Sequence, residues 1–309
     1  MKIKANVYVA IVVAMLFWSF SFIWFKMANV FYQPIAIVFM RLLIAVALLS
    51  LYLWLTGGLS WKGIRREDRK YFLMLGIFEP FLYFLGESFG LTYVSSTAGS
   101  VLIATIPVFA TIGAWLLFRE RLKPLNYAGI VLSFLGVLVF ILNRDGSLSY
   151  NITGLLLMLL AVLSAVGYNL TLRHLAGGYN PVFIVNVQNI VGLVLFLPLF
   201  LIFDLKDVIN MSHTVESLTP VVLLAVFASC GAFILFAYSV RYLGITRSNV
   251  FSNSIPVFTA IFAFILLNEV LTFQNLIGMI IVIAGLFLSQ INGRRNIKPE
   301  AEILTGKTA

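Results

Sequence analysis

Residues 106–140 read IPVFATIGAWLLFRERLKPLNYAGIVLSFLGVLVF, and residues 255–289 read IPVFTAIFAFILLNEVLTFQNLIGMIIVIAGLFLS. At a shift of 149 positions, 12 of the 35 aligned residues are identical and no gap is needed. The identical pairs include Pro107/Pro256, Glu120/Glu269, Asn126/Asn275, Gly129/Gly278 and Gly136/Gly285. Each block is two long apolar runs joined by a short polar hinge, so the chain contains one structural unit twice.

The composition indicates a membrane protein. Of the 309 residues, 61% are hydrophobic and 11% are charged, whereas soluble proteins contain about 25% charged residues. The single cysteine, Cys230, excludes an intrachain disulfide, and two histidines are too few for a histidine-based metal site. The sequence predicts neither a metal nor a cofactor.

Apolar segments of the length that crosses a bilayer occur ten times. They must form helices, because an open sheet in lipid leaves backbone groups without hydrogen bonds. The sequence therefore predicts an all-α integral membrane protein with ten transmembrane helices. The predicted spans are 7–28, 34–55, 71–92, 97–118, 124–142, 154–174, 181–203, 218–240, 247–267 and 272–291.

The basic residues of the connecting loops predict the orientation. With the N-terminus inside, the cytoplasmic parts hold 17 Lys and Arg residues and the outer loops hold only Arg144 and Lys206. This predicts a multi-pass protein of the plasma membrane (the bacterial inner membrane) with both termini in the cytoplasm. The net charge of +9 then faces anionic lipid rather than nucleic acid.

The repeat and the span count together predict the organisation of the chain. Each unit has five spans, which is an odd number, so the second copy is inverted in the membrane relative to the first. Repeats of this kind are typical of transporters, with the binding site where the two copies meet. The predicted parts are a cytoplasmic N-terminus (1–6), a first repeat (7–142), an outer linker (143–153), a second repeat (154–291) and a disordered cytoplasmic tail (292–309).

Local motifs resemble one family over roughly residues 8–290. These are Trp18-Ser19-Phe20-Ser21-Phe22 with Lys26, Arg41-Leu42-Leu43, Leu91-Thr92-Tyr93-Val94-Ser95-Ser96, and Pro107 followed by Glu120-Arg121-Leu122 and Gly129. In this order they resemble the EamA-type ten-helix carriers of the drug/metabolite transporter superfamily. Ser19 stands where the family usually has Gly, and Val270 where Arg is common. The resemblance implies a carrier, often an exporter of amino acids or other small metabolites.

Four charged residues fall within predicted spans: Lys26, Arg41, Glu79 and Glu87. Each costs roughly 2.5–3.5 kcal/mol at a helix centre, which pairing, water or function must offset. Glu79, Tyr83 and Glu87 share one broad helical face, which predicts that one carboxylate binds a cationic group or carries a proton. The alternatives are that Arg41 forms a structural ion pair with a third-helix carboxylate, that Lys26 extends to the interface, and that Glu87 is merely hydrated.

Other candidates for a substrate cavity are polar or aromatic residues at helical spacing. Small hydroxyl residues also serve helix packing, so packing is the alternative for most of them. The prolines are predicted to interrupt their helices near mid-membrane. The candidates are Trp18 and Phe22 in the first span, Tyr168 with Ser164 and Thr171 in the sixth, Asn186 and Asn189 beside Gln188 in the seventh, Asn249, Ser252, Asn253 and Pro256 in the ninth, and Ser100, Pro107 and Thr111 in the fourth.

Glycines seven residues apart in the fifth and tenth spans (129, 136, 278 and 285) indicate a close helix contact. We interpret these two spans as a scaffold that braces the other eight, or as the face of a homodimer. The remaining helices are then left to surround the cavity.

The sequence favours a secondary carrier of a small metabolite that works by alternating access. Charges of both signs in the spans favour an amino acid or a similar zwitterion, and proton coupling would use the same carboxylates. A channel-like pore is the main alternative, although no ring of repeated polar groups indicates one. An intramembrane enzyme is disfavoured, because the chain has no HExxH motif and all four Asp residues lie in loops or at span ends.

Overall fold

The computed structural model describes residues 5–58, 63–110, 112, 124–142 and 147–290. Over these residues the chain is almost wholly helical, and nine helices are long and apolar enough to cross a membrane. A tenth apolar helix has 15 described residues, Ser96–Ala110. The ten are α1 (Ala5–Asn29), α2 (Pro34–Leu55), α3 (Arg69–Tyr93), α4 (Ser96–Ala110), α5 (Pro124–Ile141), α6 (Ile152–Ala176), α7 (Pro181–Phe203), α8 (Val215–Leu243), α9 (Ile245–Leu267) and α10 (Phe273–Gln290).

Prolines and capping side chains determine where several helices begin. Pro34 and Pro181 are the first residues of α2 and α7, a position where the missing N–H costs no helical hydrogen bond. The Asn180 side chain accepts a hydrogen bond from the N–H two residues further on, at 2.8 Å. Ser95 accepts one from the N–H of Ala98 at 3.1 Å. These four capping and proline positions mark the starts of α2, α4 and α7.

The helices pack in a pattern that is unchanged when the two copies are exchanged. α1 packs against α8 and α9, and its equivalent α6 packs against α3 and α4. The equivalent pairs α2–α7, α4–α9 and α5–α10 each pack against one another. The described helices therefore form two five-helix repeats that are related by an approximate two-fold rotation.

The contact between α5 and α10 shows the inversion most directly. The Asn126 side chain donates to the Ser289 carbonyl at 2.9 Å, and the Asn275 side chain donates to the Phe140 carbonyl at 3.0 Å. These two hydrogen bonds are equivalent, since 126 and 140 become 275 and 289 after the shift of 149. The start of each helix lies against the end of the other, so α5 and α10 are antiparallel. The two copies are therefore inverted with respect to each other.

The glycines of α5 and α10 are used inside this contact. A Cβ atom at Gly136 would lie 2.5 Å from the Val282 nitrogen, and one at Gly278 would lie 2.7 Å from the Phe140 nitrogen. Only glycine allows the two backbones to approach this closely. Of the two interpretations of these glycines, the structure fits the scaffold.

Irregular turns interrupt α3 and α8 at equivalent depths. Wider, π-helical turns occur at Ile77–Leu82 in α3 and at Leu224–Ala232 in α8. Within the first, Glu79 leaves the helical region entirely, with φ −147° and ψ 118°. Such turns inside a helix are frequent at functional sites.

α4 and α9 are also interrupted at equivalent places, just before the two prolines. Residues 104 and 105 form a turn ahead of Pro107, and Ser252–Ser254 form one tight 3₁₀ turn ahead of Pro256. Proline has no N–H to donate back along the helix, so the carbonyl four residues earlier loses its usual partner.

The predicted spans agree closely with the described helices. The largest difference in a described boundary is three residues, at α8, which was predicted as 218–240 and runs from Val215 to Leu243. The predicted end of the fourth span, the hinge 119–123 and the tail 292–309 lie outside the described residues.

Candidate substrate cavity

A cavity lies at the centre of the bundle and is lined by both repeats. Side chains from α1, α2, α3 and α4 line it together with side chains from α6, α8 and α9. Its volume is about 60 Å³, which is enough to hold water. The lining residues are Trp18, Ser21, Phe22, Arg41, Glu79, Tyr83, Phe84, Glu87, Ile103, Ile106, Ala165, Tyr168, Asn169, Phe233, Phe236, Asn249, Ser252 and Ile255.

One wall of the cavity carries the two buried carboxylates. Glu79 and Glu87 are 6% and 7% exposed, and both line the cavity from α3. The Tyr83 hydroxyl donates a hydrogen bond to Glu87 Oε1 at 2.9 Å. Glu79 accepts no hydrogen bond from any residue that the structure describes. The irregular turn of α3 thus directs one unpartnered carboxylate into the cavity.

Arg41 of α2 faces the same wall but does not form the direct ion pair that the sequence suggested. Its Nε–H donates to the Ser229 hydroxyl at 2.8 Å, and its guanidinium carbon lies 4.2 Å from the centroid of the Phe84 ring. Among the described residues, neither carboxylate of α3 comes within the 4.0 Å of an ion pair with Arg41. A planar guanidinium suits this combination of hydrogen bonding and ring stacking.

Another part of the lining is aromatic. The Trp18 ring lies 5.2 Å from the Phe233 ring and 5.0 Å from the Phe236 ring, measured between centroids. Tyr168 packs edge-on against Phe233 at 6.0 Å, and Phe22 is buried beside them. The lining therefore combines charged and aromatic side chains.

Three predicted amides lie outside this lining. Asn186 accepts a hydrogen bond from Ser50 at 3.2 Å, and Asn189 donates to the Ser229 carbonyl at 3.2 Å. Asn253 accepts one from the Gln290 side chain, also at 3.2 Å. These three amides connect helices in this conformation. A role for them in substrate binding stays a prediction.

The structure brings nine of the predicted side chains to the cavity lining, whereas Ser100, Ser164, Thr171 and Gln188 lie outside it and Thr111 lies outside the described residues. Pro107 and Pro256 do not line it but follow the interruptions of α4 and α9. The nine are Trp18, Phe22, Arg41, Glu79, Tyr83, Glu87, Tyr168, Asn249 and Ser252.

Sequence reasoning missed several lining residues. Phe236 is the repeat equivalent of Glu87, since 87 shifted by 149 is 236, so the repeat itself could have identified it. Phe84 is adjacent to Tyr83 and Asn169 to Tyr168, but neither falls in a stripe that distinguishes it from packing residues. Phe233 is one of 28 phenylalanines, most of which carry no such signal.

Lys26 lies outside the cavity lining. Its ammonium group donates to the backbone carbonyl of Leu91, at the end of α3, rather than extending freely from the bundle. Near Lys26 in space, the Glu269 carboxylate accepts hydrogen bonds from the N–H of Ser96 at 2.8 Å and of Thr97 at 3.2 Å. The Thr97 hydroxyl donates to it as well, at 3.1 Å. We call this the Glu269 cap (Ser96, Thr97, Glu269), and it attaches the α9–α10 connection to the start of α4.

A second polar cluster, the Asp68 clasp (Arg65, Asp68, His174, Tyr179), connects the two repeats at the start of α3. Asp68 accepts hydrogen bonds from the Tyr179 hydroxyl at 2.6 Å, from Arg65 Nε at 2.7 Å and from His174 Nε2 at 3.0 Å. Burial alone would raise the pKa of the Asp68 carboxyl. The hydrogen bonds from Tyr179, His174 and Arg65 outweigh burial and hold that pKa below its ordinary value.

The fold and the central cavity together define a class, namely a multi-pass membrane transporter built from two inverted repeats. The profile of the EamA-like transporter family matches the chain twice, at residues 5–142 and 152–290. The chain belongs to this family.

Two relatives are named as transporters, and one solved structure shares the fold. An uncharacterized transporter of Archaeoglobus fulgidus is 27% identical over 91% of this chain and 97% of its own length. The uncharacterized transporter YcxC of Bacillus subtilis is 26% identical over 94% of this chain and 95% of its own. A crystal structure of a protein with 14% identity superposes with a TM-score of 0.68 over 93% of this chain and 97% of that one, which shows the shared fold.

Proposed function

We propose that the protein is a secondary carrier that moves a small metabolite across the plasma membrane by alternating access. The observation that supports this most is the central cavity, because both inverted repeats contribute to its walls. In such folds, the two repeats exchange conformations around a site near mid-membrane. The interrupted helices α3, α4, α8 and α9 then supply places where the backbone can bend.

The proposal includes an orientation with both termini in the cytoplasm. It rests on the distribution of basic residues, 17 to 2 in favour of the N-terminal side. Reporter fusions at the hinges 119–123 and 268–271 would report opposite sides of the membrane. If both hinges were on the same side, the inverted arrangement in the membrane would be wrong.

The substrate we propose is a small metabolite with an amino group, and an amino acid is the candidate that the sequence favours. Arg41 supplies one positive group in the cavity, and Glu79 and Glu87 supply two negative ones. The sequence-based preference for a zwitterion counted Lys26 as well, but Lys26 lies outside the cavity. The charges of the cavity are therefore not balanced.

Transport is tested directly with purified protein in proteoliposomes. A thermal-shift screen against amino acids, amines, nucleosides and polyamines selects compounds, and radiolabelled uptake then measures their movement. A carrier gives saturable uptake that an unlabelled compound on the opposite side accelerates. Linear flux without this acceleration would favour the channel-like alternative, and no flux of any stabilising compound would refute transport.

Cysteine labelling tests whether the cavity opens to water. In a Cys230→Ser background, we expect a polar thiol reagent to modify Ser21→Cys and Ser252→Cys, and bound substrate to slow the reaction. Ser133→Cys is the matched control, because Ser133 is buried between α5 and α10 and should remain unmodified. Labelling of all three at equal rates, or of none, would contradict a water-filled cavity between the repeats.

A further inference from the structure

The charged wall of the cavity is not needed for the fold. α3 and α8 are equivalent helices with irregular turns in equivalent regions, yet α8 has no acidic side chain after Glu216 in its first turn. The same helix therefore folds and packs in the second repeat without either carboxylate. Burying a charge in a membrane is costly. Because the fold does not need these two carboxylates, their presence at this cost points to a function.

The charges around Glu79 leave one negative charge without a partner. The titratable or charged groups that face it are Arg41 from α2, Tyr83 and Glu87 from its own helix, and Tyr168 from α6. With both carboxylates ionised and Arg41 protonated, the cavity carries a net charge of −1. Cys230 of α8 lies near Arg41 and is neutral as a thiol. A proton or a bound cation on the α3 wall restores neutrality.

Glu79 is the carboxylate that is free to take that proton or cation. Glu87 already accepts the Tyr83 hydrogen bond, and Arg41 is held away from both carboxylates by Ser229 and Phe84. Glu79 is 6% exposed, lines the cavity and accepts no hydrogen bond from the described residues. A buried carboxylate of this kind either takes up a proton or binds a cation.

The aromatic part of the lining defines what else the cation must carry. Trp18, Phe22, Phe233 and Phe236 present aromatic surface that suits an apolar body and attracts a cationic group. A divalent metal ion would need about six or more oxygen ligands, and among the described residues no group of three or more acidic, His or Cys side chains could hold one. An ammonium group on an apolar body fits both parts of the lining.

We propose that the cavity binds a primary amine of net charge +1 and apolar body, and that this amine and one proton compete for Glu79. This inference rests on the proposed function and narrows its substrate. In the exchange, the ammonium group forms an ion pair with the Glu79 carboxylate, and the proton that Glu79 held goes to water. One positive charge replaces another, so the transport cycle moves no net charge and a pH gradient drives it.

Three probes with the same phenylethyl skeleton separate the charge classes: phenethylamine (+1), phenylalanine (zwitterion) and 3-phenylpropionate (−1). They are added to the full-length protein in weakly buffered nanodiscs, with butylamine as a smaller amine. We expect the amines to bind and to release about one proton for each bound molecule, with a Kd that falls up to about tenfold for each unit of rising pH. Preference for phenylalanine or 3-phenylpropionate, binding without proton release, or binding of neither amine would each overturn the inference.

Variants identify the group that exchanges the proton. Glu79→Gln should abolish proton release and amine binding, whereas Glu79→Asp should retain release because it keeps a carboxyl group. Glu216→Gln is the matched control, because Glu216 is exposed at the start of α8 and should behave like the unmodified protein. If Glu79→Gln unfolds, the Glu79→Asp protein and the pH dependence of the unmodified protein still decide the result. A Glu79→Gln protein that folds and releases a proton would contradict the inference.

Transport measurements separate this inference from the proposed function. In proteoliposomes, a pH gradient should drive phenethylamine uptake, and a potassium diffusion potential with valinomycin should leave it unchanged. Uptake that the potential drives would refute exchange of one charge for one. If phenylalanine is transported and amines are not, the carrier function stands and the cation site is wrong. If amines bind with proton release but never cross the membrane, the site stands and the carrier function is wrong.

Discussion

Gly285→Ala should destabilise the protein because it forces apart the two helices that brace the bundle. A methyl group at this position would lie 2.7 Å from Ser133 Cα and 2.8 Å from the Gly129 carbonyl oxygen, and it would also collide with the Ser133 nitrogen. All three are backbone atoms, so no side chain can rotate away and α10 must shift. Overpacking of this kind costs about 1–3 kcal/mol, which is about a 5- to 150-fold change in the unfolding equilibrium.

The inverted repeat supplies a second variant with the same expected result. Gly136→Ala is equivalent to Gly285→Ala by the 149-residue shift, and its methyl group would lie 2.5 Å from the Val282 nitrogen. The free energy of unfolding is measured by adding SDS to the protein in mild-detergent micelles, with circular dichroism as the signal. Gly177→Ala is the control, because its methyl group would meet nothing within 4 Å, and we expect a change within about 0.5 kcal/mol. If Gly285→Ala and Gly177→Ala unfold alike, the close contact of α5 with α10 is wrong.

Three further predictions concern polar contacts. Glu269→Gln should lower Tm, because charge-assisted hydrogen bonds from the first backbone N–H groups of α4 are worth about 1.5–3 kcal/mol. The glutamine side chain would keep only part of this stabilisation. An unchanged Tm would contradict the Glu269 cap. Asp68→Asn should lower Tm near neutral pH, because a carboxylate with a lowered pKa stabilises the fold only while it is ionised. The difference in Tm from the unmodified protein should therefore vanish as pH falls through the depressed pKa of Asp68. A difference in Tm that does not depend on pH would refute this. Arg41→Lys should lower Tm and weaken phenethylamine binding about tenfold or more. Lysine keeps the positive charge but loses the Nε–H hydrogen bond to Ser229 and the planar stacking on the Phe84 ring. Equal affinity of the two proteins would show that the charge alone suffices.

The sequence predicted the helices well, but it did not predict which side chains form the contacts between them. Hydrophobic runs and the repeat predicted ten spans, two copies and the inversion, because the length of a span and the loop charges are local properties of a chain in lipid. The pairing of Asn126 with the Ser289 carbonyl could not be predicted in this way. Glycine spacing indicated a close contact but did not say whether the second helix belongs to the same chain.

The cavity was predictable where lipid makes a residue costly and unpredictable elsewhere. Glu79 and Glu87 stand out because a charge in a membrane needs a reason. Asn186 and Asn189 carry the same polar signal, yet their hydrogen bonds go to Ser50 and to the Ser229 carbonyl. In sequence, an amide that ties helices together is indistinguishable from one that binds a ligand. Phe233 is the opposite case. Phenylalanine is common in membrane spans, so the sequence does not distinguish a phenylalanine that lines the cavity from one that only packs.

The α5–α10 contact is built from positions that both halves share, including Asn126 and Asn275 and the glycines at 129, 136, 278 and 285. Such a surface is self-complementary, so the first repeat could pair with another first repeat as readily as with the second repeat. The charged wall exists in only one half, and a like-with-like pairing would give a centre with two such walls or with none. The peptide connection between α5 and α6 therefore favours pairing of the two repeats of one chain, because it holds the second repeat at a high local concentration. Halves expressed as separate chains would lose that selection.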